Sequence, residues 1–130
     1  MIHYDEHTAE GFVELRLDGK IDREGFEEVS SKLGKLMDER GTIGLLKHVV
    51  SFAGIEPSVL WADLKFAFRS LKHVGPVAVV SDKKWIEVWT KMASPFWKGE
   101  ARFFETDELD EARVWLAGRM AEIVKEAPQQ

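Results

Sequence analysis

Residues 76–81, PVAVVS, constrain the fold more than any other stretch of the chain. Successive side chains of a strand point to opposite faces, so a half-exposed strand alternates apolar with polar residues. A continuously apolar run has both faces covered, which marks an interior strand of a parallel sheet lying between helices. Parallel neighbours cannot be joined by tight turns, so crossover helices must flank this strand in the sequence.

The flanking sequence meets that demand. Ile2 and Tyr4 alternate with polar residues, HTAEG makes a turn, and FVELRLDG places Val13, Leu15 and Leu17 on one face with Glu14 and Arg16 on the other, the pattern of a half-buried hairpin. Asp22 can cap a helix whose apolar residues Phe26, Val29, Leu33, Leu36 and Met37 recur at three- and four-residue steps until Gly41 stops it. IGLLKHVVSF, bounded by Gly41 and Gly54, is short and β-branched and reads as a strand. Pro57 suits a first helical position, and the helix it opens carries Leu60, Leu64, Phe68 and Leu71 on one stripe, with Val59 and Phe66 nearly opposite.

After the central strand, DKKWIEVWTKMASPFWKGE reads as a third helix from about Lys83, stopped by Pro95. Trp85, Val88, Trp89 and Met92, extended by Ile86 and Ala93, form its apolar side; Lys83, Lys84, Glu87, Thr90 and Lys91 form the other. On this reading Trp85 and Trp89 pack into the core. ARFFE is a fifth strand, and TDELDEARVWLAGRMAEIV a last helix aligning Leu109, Ala112, Leu116, Met120 and Ile123, with Thr106 or Asp107 as its cap. The expected architecture is one α/β domain over residues 1–126: a five-stranded, mainly parallel sheet with an antiparallel first strand and four helices, followed by a frayed tail at 127–130.

A chain of 130 residues with 45% apolar and 32% charged composition is long enough to fold as one unit, burying about two-thirds of the surface its unfolded form exposes. Cysteine is absent, which removes disulfides, thiol nucleophiles and thiolate metal sites. The opening MIHYDEHTAEG has no basic region leading into an apolar run, and no stretch resembles a membrane span, so a soluble, cytoplasmic protein is expected. The net charge of −5 argues against nucleic acid as a partner. Residues 57–98 nevertheless carry seven basic residues against three acidic ones, a local +4 that leaves −9 elsewhere. Either the helices differ in their solvated faces, or a basic, aromatic middle meets an anionic partner.

No phosphate-cradling glycine loop and no nucleophile elbow occurs, and His3, His7, His48 and His73 form no ligand spacing. The chain is therefore expected not to be an enzyme, with no catalytic residue, metal or cofactor. Its unexplained residues are aromatic. In the loop PFWKG, Phe96 and Trp97 have no helical partner to cover them; they plug the sheet edge, line a pocket mouth or subunit interface, or dip into a membrane surface. Phe66, off the stripe of its helix, is either one ordinary exposed side chain or a homodimer contact.

The segments LWADLKFAF, VAVVSDKKW and ARFFETDELDEARVWL resemble, in the right order, the SpoIIAA-like family, whose fold is similar to that of STAS domains and of the CRAL-TRIO core; the likeness runs from about Gly11 to Gly118. The resemblance implies a non-enzymatic binding or regulatory module that docks a protein partner. STAS-type antagonists are switched by phosphorylation of a serine at the start of the helix after the third strand. The nearest position is Ser58, with Pro57 in place of the aspartate usual there, and a phosphate at a helix start gains from the open N–H groups. The CRAL-TRIO kinship implies an alternative, a small apolar ligand held between helices and sheet. Trp61, Phe66, Trp89, Phe96 and Trp97 are the residues expected to meet either partner or ligand.

Overall fold

In the computed structural model, which describes residues 2–51, 54–55, 74–93 and 100–126, the central apolar run lies inside a five-stranded sheet. The chain order is β1 (Ile2–His7), β2 (Phe12–Leu17), β3 (Lys20–Ile21), α1 (Arg23–Arg40), β4 (Ile43–Val49), β5 (Gly54–Ile55), β6 (Val74–Ser81), α2 (Lys84–Ala93), β7 (Ala101–Phe104), a 3-10 turn (Thr106–Glu108) and α3 (Leu109–Glu126). The strands lie in the order β1-β2-β4-β6-β7. β1 runs antiparallel to β2, and the remaining pairs are parallel, as the apolar pattern requires. The helix expected from Pro57 falls outside the described residues, which hold the other three.

Alternation along the strands creates two cores. Val13, Leu15, Leu45 and Val77 face α1, which buries Val29, Leu33, Leu36 and Met37 against them. Phe12, Leu46, Ala78, Val80 and Phe104 face the opposite way, onto Ala112 and Leu116 of α3. β6 contributes to both layers, which is why its sequence lacks polar alternation.

Local chemistry sets the ends of the helices. The Asp22 carboxylate accepts the Gly25 N–H at 2.8 Å and starts α1. Gly41, with φ 82°, ends it and donates its N–H to the Met37 carbonyl at 2.8 Å. The start of α3 differs from expectation. A 3-10 turn precedes it, and Glu108 reaches back to accept the Glu105 N–H at 2.8 Å, so the first residue of the turn's cap is Glu105 and not Thr106 or Asp107.

Gly44 lets α3 lie close on β4. A Cβ there would stand 3.0 Å from Leu116 Cδ1 and 3.2 Å from Met120 Cγ. At the carboxyl ends of β2 and β4, β3 and β5 form a small parallel ladder pairing Lys20 with Gly54 and Ile21 with Ile55. Ser51 secures this end, donating its hydroxyl to Asp18 Oδ1 at 2.5 Å and accepting the Gly19 N–H at 2.8 Å. No helix among the described residues is long and apolar enough to cross a membrane.

Candidate functional site

α2 follows β6 through Ser81, Asp82 and Lys83 and lies at the edge of the sheet, against β7 and β6. Ser81 is fully buried, and its Oγ accepts the Lys83 N–H at 3.1 Å, which turns the chain into the helix. The helix then packs in a way its sequence does not announce. Ile86 and Thr90 face inward at 7% and 6% exposure, whereas Trp85, Val88 and Met92 are 53%, 50% and 66% exposed. Thr90 satisfies its buried hydroxyl within the helix by donating to the Ile86 carbonyl at 2.8 Å.

This corrects the expectation that Trp85, Val88 and Met92 line the core while Thr90 faces water. An amphipathic pattern shows that apolar residues share a side, not which side is covered. α2 rests against the four-residue edge strand β7 and against β6, and among its described side chains Ile86 and Thr90 are the buried ones. The richer apolar side is left outward, bordered by exposed Lys84 and Lys91. The Lys91 ammonium lies 2.9 Å from Glu87 Oε1, and the hydrogen bond from Lys91 holds the Glu87 carboxyl below its ordinary range.

Beside the first turn of α2 opens a cleft of about 510 Å³ at the carboxyl ends of β6 and β7. It is lined by Ser81, Asp82, Lys83, Lys84, Glu87, Phe103, Glu105, Thr106 and Asp107. Open parallel sheets commonly bind ligands at this end. Among the described lining residues, four carboxylates and two ammonium groups leave the cleft mixed in charge, and none is a histidine that could serve Ser81 as a base. Ligand oxygens of Glu105, Asp107 and Glu108 come within 4.8 Å of one another. Acidic side chains are favoured at a helix start by the exposed N–H groups, and Glu108 already accepts one from Glu105.

A second polar group lies on the α3 side of β1 and β2. Arg113 grips both oxygens of Glu14 at 2.9 Å and also reaches Asp110 at 3.1 Å. The bonds from Arg113 hold the Glu14 carboxyl below its ordinary value, against the opposing effect of burial. His7 stacks on Phe12 with ring centroids 4.6 Å apart, and its buried Nε2 lies 3.4 Å from Glu14 and 3.5 Å from Asp5. Burial depresses the pKa of His48 on the adjacent strand, while Glu14 opposes that shift. Glu14 and Arg113 stand 99 positions apart, so no local spacing announces the pair. The nearest signal in the sequence is Glu14 on the face of β2 opposite Val13, Leu15 and Leu17.

Of the aromatic candidates, Trp61, Phe66, Phe96 and Trp97 lie outside the described residues, as does Ser58. Trp89 is placed on α2, but its side chain is outside the description. The described surface that takes their place is the outward stripe of α2, which comes from the same tryptophan-rich segment.

Comparison with known proteins agrees with this architecture. A search of curated proteins finds no match. Among solved structures, an uncharacterised protein of SpoIIAA-like fold from Shewanella loihica PV-4 superposes with a TM-score of 0.75 at 24% identity, covering 89% of this chain and 92% of that one. The anti-sigma factor antagonist SpoIIAA in its unphosphorylated form gives 0.60 at 12% identity over 88% and 98% of the two chains. The phosphorylated form of SpoIIAA, a Bacillus cell fate determinant, gives 0.58 at 12% over 88% and 99%. At these identities the likeness concerns the fold. The SpoIIAA-like family model matches residues 12–117, from β2 into the last helix, and the chain belongs to the SpoIIAA-like family.

Proposed function

We propose that this chain is a non-enzymatic, cytoplasmic docking module that binds a protein partner through the outward side of α2. One observation carries this reading: a ten-residue helix turns Trp85, Val88 and Met92 outward while burying a threonine. Scattered exposed apolar residues are ordinary, but three on one side of one short helix form a contiguous anchor of the kind that helix-mediated contacts use. The anti-sigma factor antagonist among the fold neighbours supports a role in contact rather than chemistry. The mixed-charge cleft lining favours protein contact over a small apolar ligand.

The test is site-specific photocrosslinking in the native host. A photoreactive residue at Val88 should join the chain to a discrete polypeptide, the adduct should disappear with Met92→Asp, and a control at exposed Glu28 should give none. Identical patterns from the two positions would sink the reading. On the same reading Ser58→Asp, but not Ser58→Ala, weakens the adduct if phosphate at that position regulates docking. A stoichiometric lipid-like adduct in native mass spectrometry would instead favour the apolar-ligand alternative.

A further inference from the structure

The borders of the α2 stripe narrow the chemistry of what covers it. At about 100° per residue, Val88, Met92 and Trp85 fall within roughly 60° of arc, and Lys84 and Lys91 adjoin Val88 on one side. Glu87 lies farther round, where it meets Lys91. The stripe from Trp85 to Met92 spans two turns, about 10 Å at 1.5 Å per residue, a fit for anchors spaced i, i+3 and i+7 on a second helix. We infer, resting on the docking function above, that the partner segment is an amphipathic helix of another protein whose apolar stripe is bordered by carboxylates facing Lys84 and Lys91.

Charge decides against the two other occupants. In a two-fold antiparallel pair of α2 helices the axis lies in the contact plane across both helices, so each border meets its own copy. Lys84 and Lys91 would then face the same lysines, and like charges in register oppose a second copy. An anionic membrane would be drawn to the lysines, but a flat surface also meets the surroundings of the helix. Exposed Glu105 and Asp107 line the cleft beside the first turn of α2, and they repel such a surface. A single helix, about 10 Å across, covers the stripe and its lysine border without spreading over the whole surface round α2.

The experiment titrates the intact protein with two synthetic helical peptides that share one apolar stripe and carry either glutamate or lysine along its borders. Vesicles of phosphatidylcholine with phosphatidylglycerol form a third arm. Two exposed ion pairs should favour the glutamate peptide by roughly fivefold at low salt, and the preference should shrink as salt rises. Lys84→Glu with Lys91→Glu should reverse the preference, and Val88→Asp with Met92→Asp should abolish binding of both peptides; both double variants are checked for an unchanged circular dichroism spectrum. Equal affinities, no binding of either peptide, binding to vesicles alone, or a dimer that Val88→Asp dissociates would each overturn the inference. If the Val88 crosslink to a polypeptide persists while the peptides show no preference, the charge rule fails and docking stands. If the crosslink is absent as well, docking fails with it.

Discussion

Arg113 of α3 holds Glu14 of β2 through two hydrogen bonds of 2.9 Å each, joining the final helix to the second strand across 99 positions of sequence. The two partners are unequally placed. The Glu14 side chain is 12% exposed and Arg113 is 37% exposed, with Asp110 as a further partner. Removing the arginine leaves a largely buried carboxylate uncompensated, whereas removing the carboxylate leaves a guanidinium that still reaches Asp110 and water. Arg113→Met is therefore expected to cost about 2–3 kcal/mol and Glu14→Gln about 1 kcal/mol. Urea denaturation at neutral pH measures both; equal costs would contradict the asymmetry.

Acid should weaken the fold in two stages. His48, ordinarily near 6.5, is depressed by burial, so the unfolded chain takes up its proton first and stability falls as pH drops below about 6.5 toward the lower folded value. Glu14, ordinarily near 4.5, is held lower by Arg113; its contribution is intact above 4.5 and is lost as pH falls through the folded value. Both shifts thus have the same sign. His48→Gln should flatten the upper stage and Glu14→Gln the lower one in melting temperatures taken from pH 7 to pH 3. An unchanged profile in either variant would contradict its assignment.

Two glycines should respond to alanine in opposite senses. At Gly44 the added Cβ would meet the buried side chains of Leu116 at 3.0 Å and Met120 at 3.2 Å, which must give by a few tenths of an ångström, at about 1–3 kcal/mol. At Gly34, in the middle of α1, nothing lies within 4 Å, and the gain in helix propensity should stabilise by about 0.5–1 kcal/mol. Thermal melts of Gly44→Ala and Gly34→Ala test the pair, and a destabilised Gly34→Ala would show that α1 packs more tightly than its surroundings indicate.

Most of the fold was legible because it is written in periodicity. The continuous apolar run at 76–81 placed β6 between two layers, the alternation of Val13, Leu15 and Leu17 gave β2 its buried side, and Asp22 and Gly41 marked both ends of α1. Less was legible where two answers share one pattern. The α2 sequence shows an apolar side and a polar side, but the inward turn of Ile86 and Thr90 is a matter of tertiary packing that no spacing records. The Glu14–Arg113 pair was hidden because tertiary approach, not spacing, creates it. The β3–β5 ladder, two residues on each strand, is too short to leave a pattern. Of the aromatics proposed as the site, Trp61, Phe66, Phe96 and Trp97 lie outside the described residues, and among the described residues of α2 the large exposed apolar side chains are Trp85, Val88 and Met92.

The absence of cysteine makes the orientation of α2 directly measurable. Single cysteines placed at 86, 88, 90 and 92 can each be labelled with a maleimide reagent in the native protein, and the rates compared with those in urea. Val88→Cys and Met92→Cys should react nearly as fast folded as unfolded, while Ile86→Cys and Thr90→Cys should be protected by at least about an order of magnitude. Protection at 88 and 92 with rapid labelling at 86 and 90 would place the apolar stripe in the core and remove the docking surface.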